Sequence, residues 1–325
     1  MMYILPNIKF NNYIKKIIIS LIKLSAIVII LLKFSNSIVN AYPIYAQQAY
    51  ENPREATGRI VCANCHLAQK DIQLNIPKSV LPNSVFEAVV KIPYPNNAQQ
   101  ILANANKGPL NVGAILILPE GFSLAPTSRL SEEQKAIAKI TPIQTYNNQH
   151  KNILVVGPLP GDKHKEISFP ILSPDPQSNK QIHFIKYPIY AGGNRGRGQL
   201  YPNGEKSNNA LYTSPVDGKI IQINKEENNS TKIVIETNSK NTVTEKLPSG
   251  IELIVKEGQM VKIDQVLNKD LNVGGFGQIE SEFVLQNPER IKGMILFFFS
   301  VTLTQILLIL KKKQFEKVQA KQLNI

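Results

Sequence analysis

Cys62-Ala63-Asn64-Cys65-His66 is the stretch on which the reading of this chain turns. Two thiols separated by two residues, with a histidine directly after the second, form the attachment site for a c-type haem. The sulfurs add across the two haem vinyl groups, one helical turn spans the pair, and the adjacent imidazole falls under the iron as proximal ligand. Cys62 and Cys65 are the only cysteines, so neither has a competing disulfide partner. A zinc site needs about four ligands, and no second Cys pair exists. A thioredoxin-like redox pair would not require His66 and belongs near a βαβ pattern, which is missing around this segment. A chance occurrence in a structural loop is the bland alternative.

Outward from the motif, both ends of the chain point to a membrane. Lys9, Lys15 and Lys16 precede the apolar run Ile17–Leu32, whose only charge is Lys23, and no Asp or Glu occurs before Glu51. Asn36-Ser37-Ile38-Val39-Asn40-Ala41 closes the run with small residues. This is the layout of a secretory signal peptide, residues 1–41, cut after Ala41; a retained anchor is the alternative. At the other end, Ile291–Leu310 carries one charge, Lys292, and is followed at once by Lys311-Lys312-Lys313. Twenty residues at about 1.5 Å each cross a hydrocarbon layer of roughly 30 Å, so a transmembrane helix is expected over 291–310. The lysines hold the tail 311–325 on the side of synthesis and place residues 42–290 across the membrane.

The formal charge of +13 suggests nucleic acid at first, but its distribution does not. Five lysines and no acids lie in residues 1–41, and five more against Glu316 lie in 311–325. Residues 42–291 hold 26 Lys and Arg against 23 Asp and Glu, a net of +3. The basic character belongs to the membrane-facing ends, so no nucleic-acid partner is expected.

The exported body is rich in Pro, with short apolar or alternating runs at Val85–Ile92, Val112–Leu118, Ile153–Val156, Glu166–Ile171 and Gln181–Tyr190. Runs at this spacing predict a mainly β chain, a large β-sandwich. Helix is expected only after the capping box Ser131-Glu132-Glu133-Gln134, continuing through Lys135–Ile140, and in the segment Asn52 to His66 that carries the motif. A second module, residues 211–271, reads as a small inserted β-barrel or sandwich-hybrid domain, with strands at Lys219–Ile223, Lys232–Glu236 and Ile251–Val255. It resembles biotinyl and lipoyl domains, but the displayed lysine of a Met-Lys-Met motif is missing, which disfavours a carrier role. The chain then returns to the large domain, residues 42–210 and 272–290, through Asn272–Gly277 and a final strand Gln278–Leu285. Gly192-Gly193-Asn194-Arg195-Gly196-Arg197-Gly198 is not a dinucleotide fingerprint, because Gln199-Leu200-Tyr201-Pro202 cannot start the helix such a loop needs. It is read as a tight turn that places polar side chains.

His66 supplies one face of the iron. Met260, His150, His164 and His183 are candidates for the other, with Met294 inside the span. Spacing does not choose among them. A sixth position left open would make the chain a membrane-anchored haem enzyme or gas sensor.

Tyr42-Pro43-Ile44-Tyr45-Ala46-Gln47 through Arg59-Ile60-Val61, running into the Cys62–His66 motif, resembles the mature N-terminus of the cytochrome f family. So do Asn111–Phe122, Gly192–Gln199, Asn272–Gln278 and Lys311–Val318, and the similarity covers the chain from Tyr42 onward. The resemblance implies one covalent haem c on Cys62 and Cys65, with His66 and the α-amino nitrogen of Tyr42 as axial ligands. An amine binds iron only when unprotonated, and its reference pKa is near ~7.7–8.0; it does not exist until the signal is removed. The family also implies buried waters held by Gln100, Asn194, Gln199, Asn209 and Asn272, which gives the glycine stretch a purpose.

The function implied is one-electron transfer in the photosynthetic cytochrome bf complex, with no bond-making chemistry of its own. Electrons would come from the Rieske iron–sulfur protein and pass to plastocyanin or a soluble lumenal cytochrome c. Cytochrome b and other subunits of the complex would be partners. The location implied is the plastid thylakoid membrane, single-pass, with the large domain in the lumen and the C-terminus in the stroma. Two departures stand out. Tyr45 replaces an apolar aromatic beside the haem, and the basic docking patch of plant members keeps only Lys107, with Gln99 and Asn106 at other patch positions.

Overall fold

Val85–Lys91 alternates between buried and half-buried side chains along its whole length, the period of a strand with one face in a core. In the computed structural model, which describes residues 43–226 and 229–323, this strand lies in a four-stranded sheet. The order is Gln73–Asn75, Val85–Lys91, Glu166–Leu172, Ser123–Leu124. The signal expected at residues 1–41 and Tyr42 lie outside the described residues.

A six-stranded sheet packs against it, in the order Ser79–Val80, Gly275–Leu285, Lys186–Arg195, Asn111–Ile117, Ile153–Pro160, Gln144–Thr145. Its pairings are antiparallel except that of Ser79–Val80 with the end of Gly275–Leu285. Phe86, Ala88, Val90, Ile167, Phe169 and Ile171 from one sheet meet Val112, Leu116, Leu154, Val156, Ile189 and Phe283 from the other in a single core. Phe86, Phe122 and Phe283 form its aromatic centre, with ring centroids 5.2–6.3 Å apart. The chain is a mainly β protein, as the alternating runs predict.

The six-stranded sheet is buried on its second face too. There Ile115, Ile117, Ile153, Val155 and Phe276 are covered by Ile60, Tyr146, Cys62 and Ala63. That explains why Asn111–Ile117 reads as a continuous apolar run: both faces of the strand are dry.

Two local expectations are corrected. The segment from Asn52 to His66 forms no α-helix; it has a bridge between Arg54 and Ile60 and one 3₁₀ turn, Val61–Asn64. Pro53 and Gly58, with φ of +86°, break any longer helix. The helix lies earlier, at Ile44–Ala49. Nor is the glycine stretch chiefly a turn, since Gly192-Gly193-Asn194-Arg195 continues the strand Lys186–Arg195. A Cβ on Gly192 would overlap the Phe276 ring and come within 2.8 Å of Ile115, so close packing demands glycine there. Gly196, with φ of +69°, makes the turn that follows.

A separate core is built from Tyr212, Ile220, Ile233, Ile235, Leu247, Val261 and Leu267. It is formed around a four-stranded sheet ordered Thr242–Leu247, Thr231–Glu236, Gly218–Lys225, Met260–Val261. Thr242–Leu247 is a strand that the polar sequence hides, whereas Ile251–Val255 makes only the bridge Leu253 to Asn268. The capping-box helix is present at Glu132–Ile140, with Ser131 and Gln134 exchanging both bonds.

The last element is a 35-residue helix, Pro288–Gln322, begun by Asn287, whose side chain accepts from the Glu289 and Arg290 amides. It is long and apolar enough to cross a membrane. The helix does not stop at Leu310 but continues through Lys311-Lys312-Lys313.

Candidate haem-attachment site

The 3₁₀ turn folds the motif back on itself. The Cys65 and His66 amides both donate to the Cys62 carbonyl, at 3.3 and 3.0 Å, so the two thiols and the imidazole stay on neighbouring turns of chain. Distant residues hold this turn in place. The amides of Gln199 and Leu200 donate to the Cys65 carbonyl at 2.8 and 3.1 Å, and the Leu67 amide donates to Gln199 Oε1 at 2.8 Å. A Cβ on Gly198 would lie 3.2 Å from the Cys65 carbonyl oxygen, which is why the glycine stretch approaches here. On the other side Gln278 Oε1 accepts from the Ile60 amide at 3.0 Å, while its Nε2 donates to the Gly58 carbonyl at 3.0 Å. Arg59 donates to the Ala63 carbonyl at 3.1 Å and to Asn64 Oδ1.

Both cysteines are free, and burial pushes their thiols up, that of Cys62 to about 12. They are kept as S–H groups rather than as thiolates open to oxidation. Burial pushes the His66 ring down to about 4, so it is neutral at physiological pH, the only form that has a lone pair for a metal. Its Nδ1 is buried with no hydrogen-bond partner among the described residues.

His66 borders two cavities. The smaller, about 150 Å³, is also lined by Pro43, Ala46, Cys62, Gly113, Pro158 and Asn194. Its floor is built from glycine: a Cβ on Gly113 would lie 2.7 Å from Asn194 Oδ1, and one on Gly157 would lie 2.7 Å from the Gly113 Cα. The larger, about 920 Å³, runs past Arg54, Arg59, Lys70, Tyr190 and Gln278. Two free thiols, a neutral imidazole with an orphaned nitrogen, and a glycine floor suit a covalently held haem. Among the described residues no group of three or more His, Cys, Asp or Glu side chains is placed to hold a bare metal ion.

The N-terminal helix reaches the same cavity, and Tyr146 clamps it. The Tyr146 hydroxyl bonds to the carbonyls of Ala46 and Tyr50, at 2.6 and 2.7 Å, and Gln47 Nε2 donates to the Tyr146 carbonyl at 2.7 Å. His150, His164, His183 and Met260 line neither cavity. His164 Nδ1 is bonded to the Pro160 carbonyl at 2.9 Å, and Met260 is exposed on the small sheet.

The five polar residues expected to hold water are divided. Asn194 borders the smaller cavity beside His66. Gln199, Asn209 and Asn272 border another, of about 280 Å³, though Asn272 is exposed and its Oδ1 accepts from Lys70. Gln100, only 1% exposed, donates to the Pro109 carbonyl and accepts from the Arg197 amide at 2.7 Å. Sequence reasoning passed over Tyr146 and Gln278, whose contacts lie about a hundred residues or more away, and Arg197, which reaches Gln100 and Ile101 across the fold as well as nearby Asn208 and Tyr201.

Comparison with known families decides what the site belongs to. The family described as "Apocytochrome F, N-terminal" matches residues 42–196, and "Apocytochrome F, C-terminal" matches residues 208–325. The chain belongs to the cytochrome f family. It is 59% identical over 313 residues to the cytochrome f of Porphyra purpurea, covering 96% of this chain and 98% of that one. With that of Marchantia polymorpha it shares 57% over 321 residues, covering 98% and 100%. With that of Chlorokybus atmophyticus the identity is 61% over 284 residues, covering 87% and 89%. Cytochrome f is a c-type cytochrome with one covalently bound haem, an electron-transfer subunit of the cytochrome b6f complex of photosynthesis, and a thylakoid membrane protein.

Proposed function

We propose that the haem is joined by thioethers to Cys62 and Cys65 and ligated by His66 on one face and the α-amino group of Tyr42 on the other. The observation that carries this reading is His66: a neutral, largely buried imidazole, directly after the second thiol, bordering one cavity with Cys62 and Pro43. Pro43 is the residue after the expected N-terminus, and the family match begins at Tyr42, which supports cleavage after Ala41. The free amine must lose its proton to ligate, so processing precedes ligation. The haem supplies a one-electron couple at its iron. The chain holds it, shields it and offers a surface beside it, where Ile44, Tyr45 and Leu67 are exposed.

In this reading residues 42–210 and 272–290 form the haem domain, and residues 211–271 form a structural insert. The span 291–310 anchors both, and the tail 311–325 stays in the stroma by the positive-inside rule. Electrons arrive from the Rieske iron–sulfur protein and leave to plastocyanin or a soluble lumenal cytochrome c, with cytochrome b beside it in the complex. Gln100, Asn194, Gln199, Asn209 and Asn272 hold ordered water running inward from His66; cavities of about 150 and 280 Å³ have room for several molecules.

The test is a lumenal fragment ending near Arg290, examined by mass and by absorption with and without carbon monoxide. It should be soluble, carry haem on the peptide containing residues 62–66, show a low-spin six-coordinate spectrum and not bind carbon monoxide rapidly. A fragment held in the membrane pellet or lacking covalent haem would contradict the division of the chain. Rapid carbon monoxide binding by the reduced fragment would favour an open-site enzyme or gas sensor. In His66→Ala, a retained low-spin spectrum would contradict the axial assignment.

A further inference from the structure

Four uncharged polar side chains lie inside the apolar run of the C-terminal helix: Ser300, Thr302, Thr304 and Gln305. Three are satisfied within the helix. Ser300 Oγ donates to the Leu296 carbonyl at 2.9 Å, Thr302 Oγ1 to the Phe298 carbonyl at 2.8 Å, and Thr304 Oγ1 to the Ser300 carbonyl at 2.8 Å. The Gln305 side chain makes no hydrogen bond to any described residue, although its carboxamide has two N–H donors and a carbonyl acceptor. In hydrocarbon no water compensates for that, and an unpaired amide is strongly disfavoured.

Escape to the headgroups does not resolve the problem. Gln305 lies five residues before Leu310, about 7.5 Å inside the lysine end of the span at ~1.5 Å per residue. Helical side chains lean toward the N-terminus of their helix. The amide is therefore directed deeper into the layer, away from Lys311-Lys312-Lys313. Its complement has to come from another helix at the same depth.

We propose that Gln305 docks this span onto a transmembrane helix of another subunit, one that presents a hydrogen-bonding side chain opposite it. This rests on the reading of the chain as a membrane-anchored subunit of a larger complex. Phe298, Val301, Thr302 and Ile309 share the Gln305 face at helical spacing and surround the amide with apolar contact. No described residue of the chain covers that face. The apolar contact supplies area, and the amide sets register and depth.

The experiment compares Gln305→Leu and Gln305→Asn with the natural chain in the assembled complex. Alkali-washed membranes are first checked for retained c-type haem. The detergent-solubilised complex is then diluted, and c haem that stays with the b haems is separated by size from c haem that is free. Gln305→Leu, a better apolar helix residue, should raise the free-to-bound ratio roughly three- to twentyfold, the range of one interhelical hydrogen bond in a membrane. Gln305→Asn should raise it less. A photoreactive side chain at position 309 should yield an adduct with another subunit. An unchanged ratio in Gln305→Leu, or an adduct only with lipid or with a second copy of this chain, would overturn the proposal. Loss of the natural chain from alkali-washed membranes would overturn the anchor itself and the proposal with it, a result distinct from retention with an unchanged ratio.

Discussion

Tyr146→Phe should loosen the N-terminal helix while leaving the core intact. The ring is buried in the cluster with Ile60, Ile115 and Val155, and phenylalanine keeps that packing. What disappears is the hydroxyl at the Ala46 and Tyr50 carbonyls. Burial first, then the neighbouring Cys62 and Tyr50, push that hydroxyl up to about 12, so it is a protonated donor at any physiological pH. Gln47 still bonds to the residue 146 carbonyl, so the helix stays partly tethered. Removing the buried donor costs about 1–2 kcal/mol. If that cost falls on the docking of Ile44–Ala49, the undocked fraction rises about 5- to 30-fold. In the proposed ligation this helix carries the sixth ligand, so carbon monoxide should bind the reduced variant faster by about the same factor. Exchange of the Tyr50 amide, which donates to the Ala46 carbonyl at 3.0 Å, should accelerate in parallel. Faster exchange with unchanged carbon monoxide binding would separate the helix from the iron. If neither moves, Tyr146 is not the clamp.

Three further outcomes are expected. Gly192→Ala forces a methyl into the Phe276 ring and Ile115; overpacking of this kind costs about 1–3 kcal/mol, and the fragment ending near Arg290 should melt lower by about 2–4 °C for each kcal/mol. In the haem-free chain the folded His66 pKa of about 4 lies below its ordinary 6.5, so the unfolded state binds the extra proton. The stability this contributes is complete above about pH 6.5 and is lost as the pH falls through about 4; denaturant midpoints across that window should fall, and His66→Leu should flatten the trend. Lys107 borders a crevice with Lys269, Glu252 and Asp270, and Lys269 is paired with Glu252 at 3.4 Å, so charge there is balanced. Stopped-flow electron transfer to the native acceptor should change little as salt brings the Debye length from about 30 Å to below 10 Å. A drop of more than about tenfold would show that dispersed lysines do converge to steer the partner.

Much of the architecture is legible because its causes are local. Val85–Lys91 and Glu166–Leu172 read as strands since one face of each enters the core, which imposes a two-residue period. Ser131–Gln134 reads as a helix start because the capping box closes within four residues. The run Ile291–Leu310 reads as a span because hydrocarbon thickness sets its length, although the chain stays helical through Gln322 and no local signal marks that stop. Cys62–His66 is the most local feature of all: the spacing that the proposed thioether attachment and imidazole ligation need is complete within five residues, so nothing distant is required to recognise it.

Other features depend on residues that meet only after folding. Gly192 and Gly193 look like a turn by composition but lie in a strand, because Phe276, from the neighbouring strand, presses its ring against one of them. Pro53 and Gly58 deny Asn52–His66 a helix, but the irregular path it takes instead is held from afar: Gln278 accepts the Ile60 amide from 218 residues away, and Gln199 accepts the Leu67 amide just beyond the segment from 132 residues away. Thr242–Leu247 is a strand by virtue of its pairing with Thr231–Glu236, not of its polar side chains. The sequence alone determined the apolar C-terminal span and the β class and pointed to a c-type haem, since each follows from spacing or period within a short segment. The tertiary structure decided how the motif is gripped, which faces are dry and what lines the space around His66, because those bonds join residues with no periodic relation along the chain.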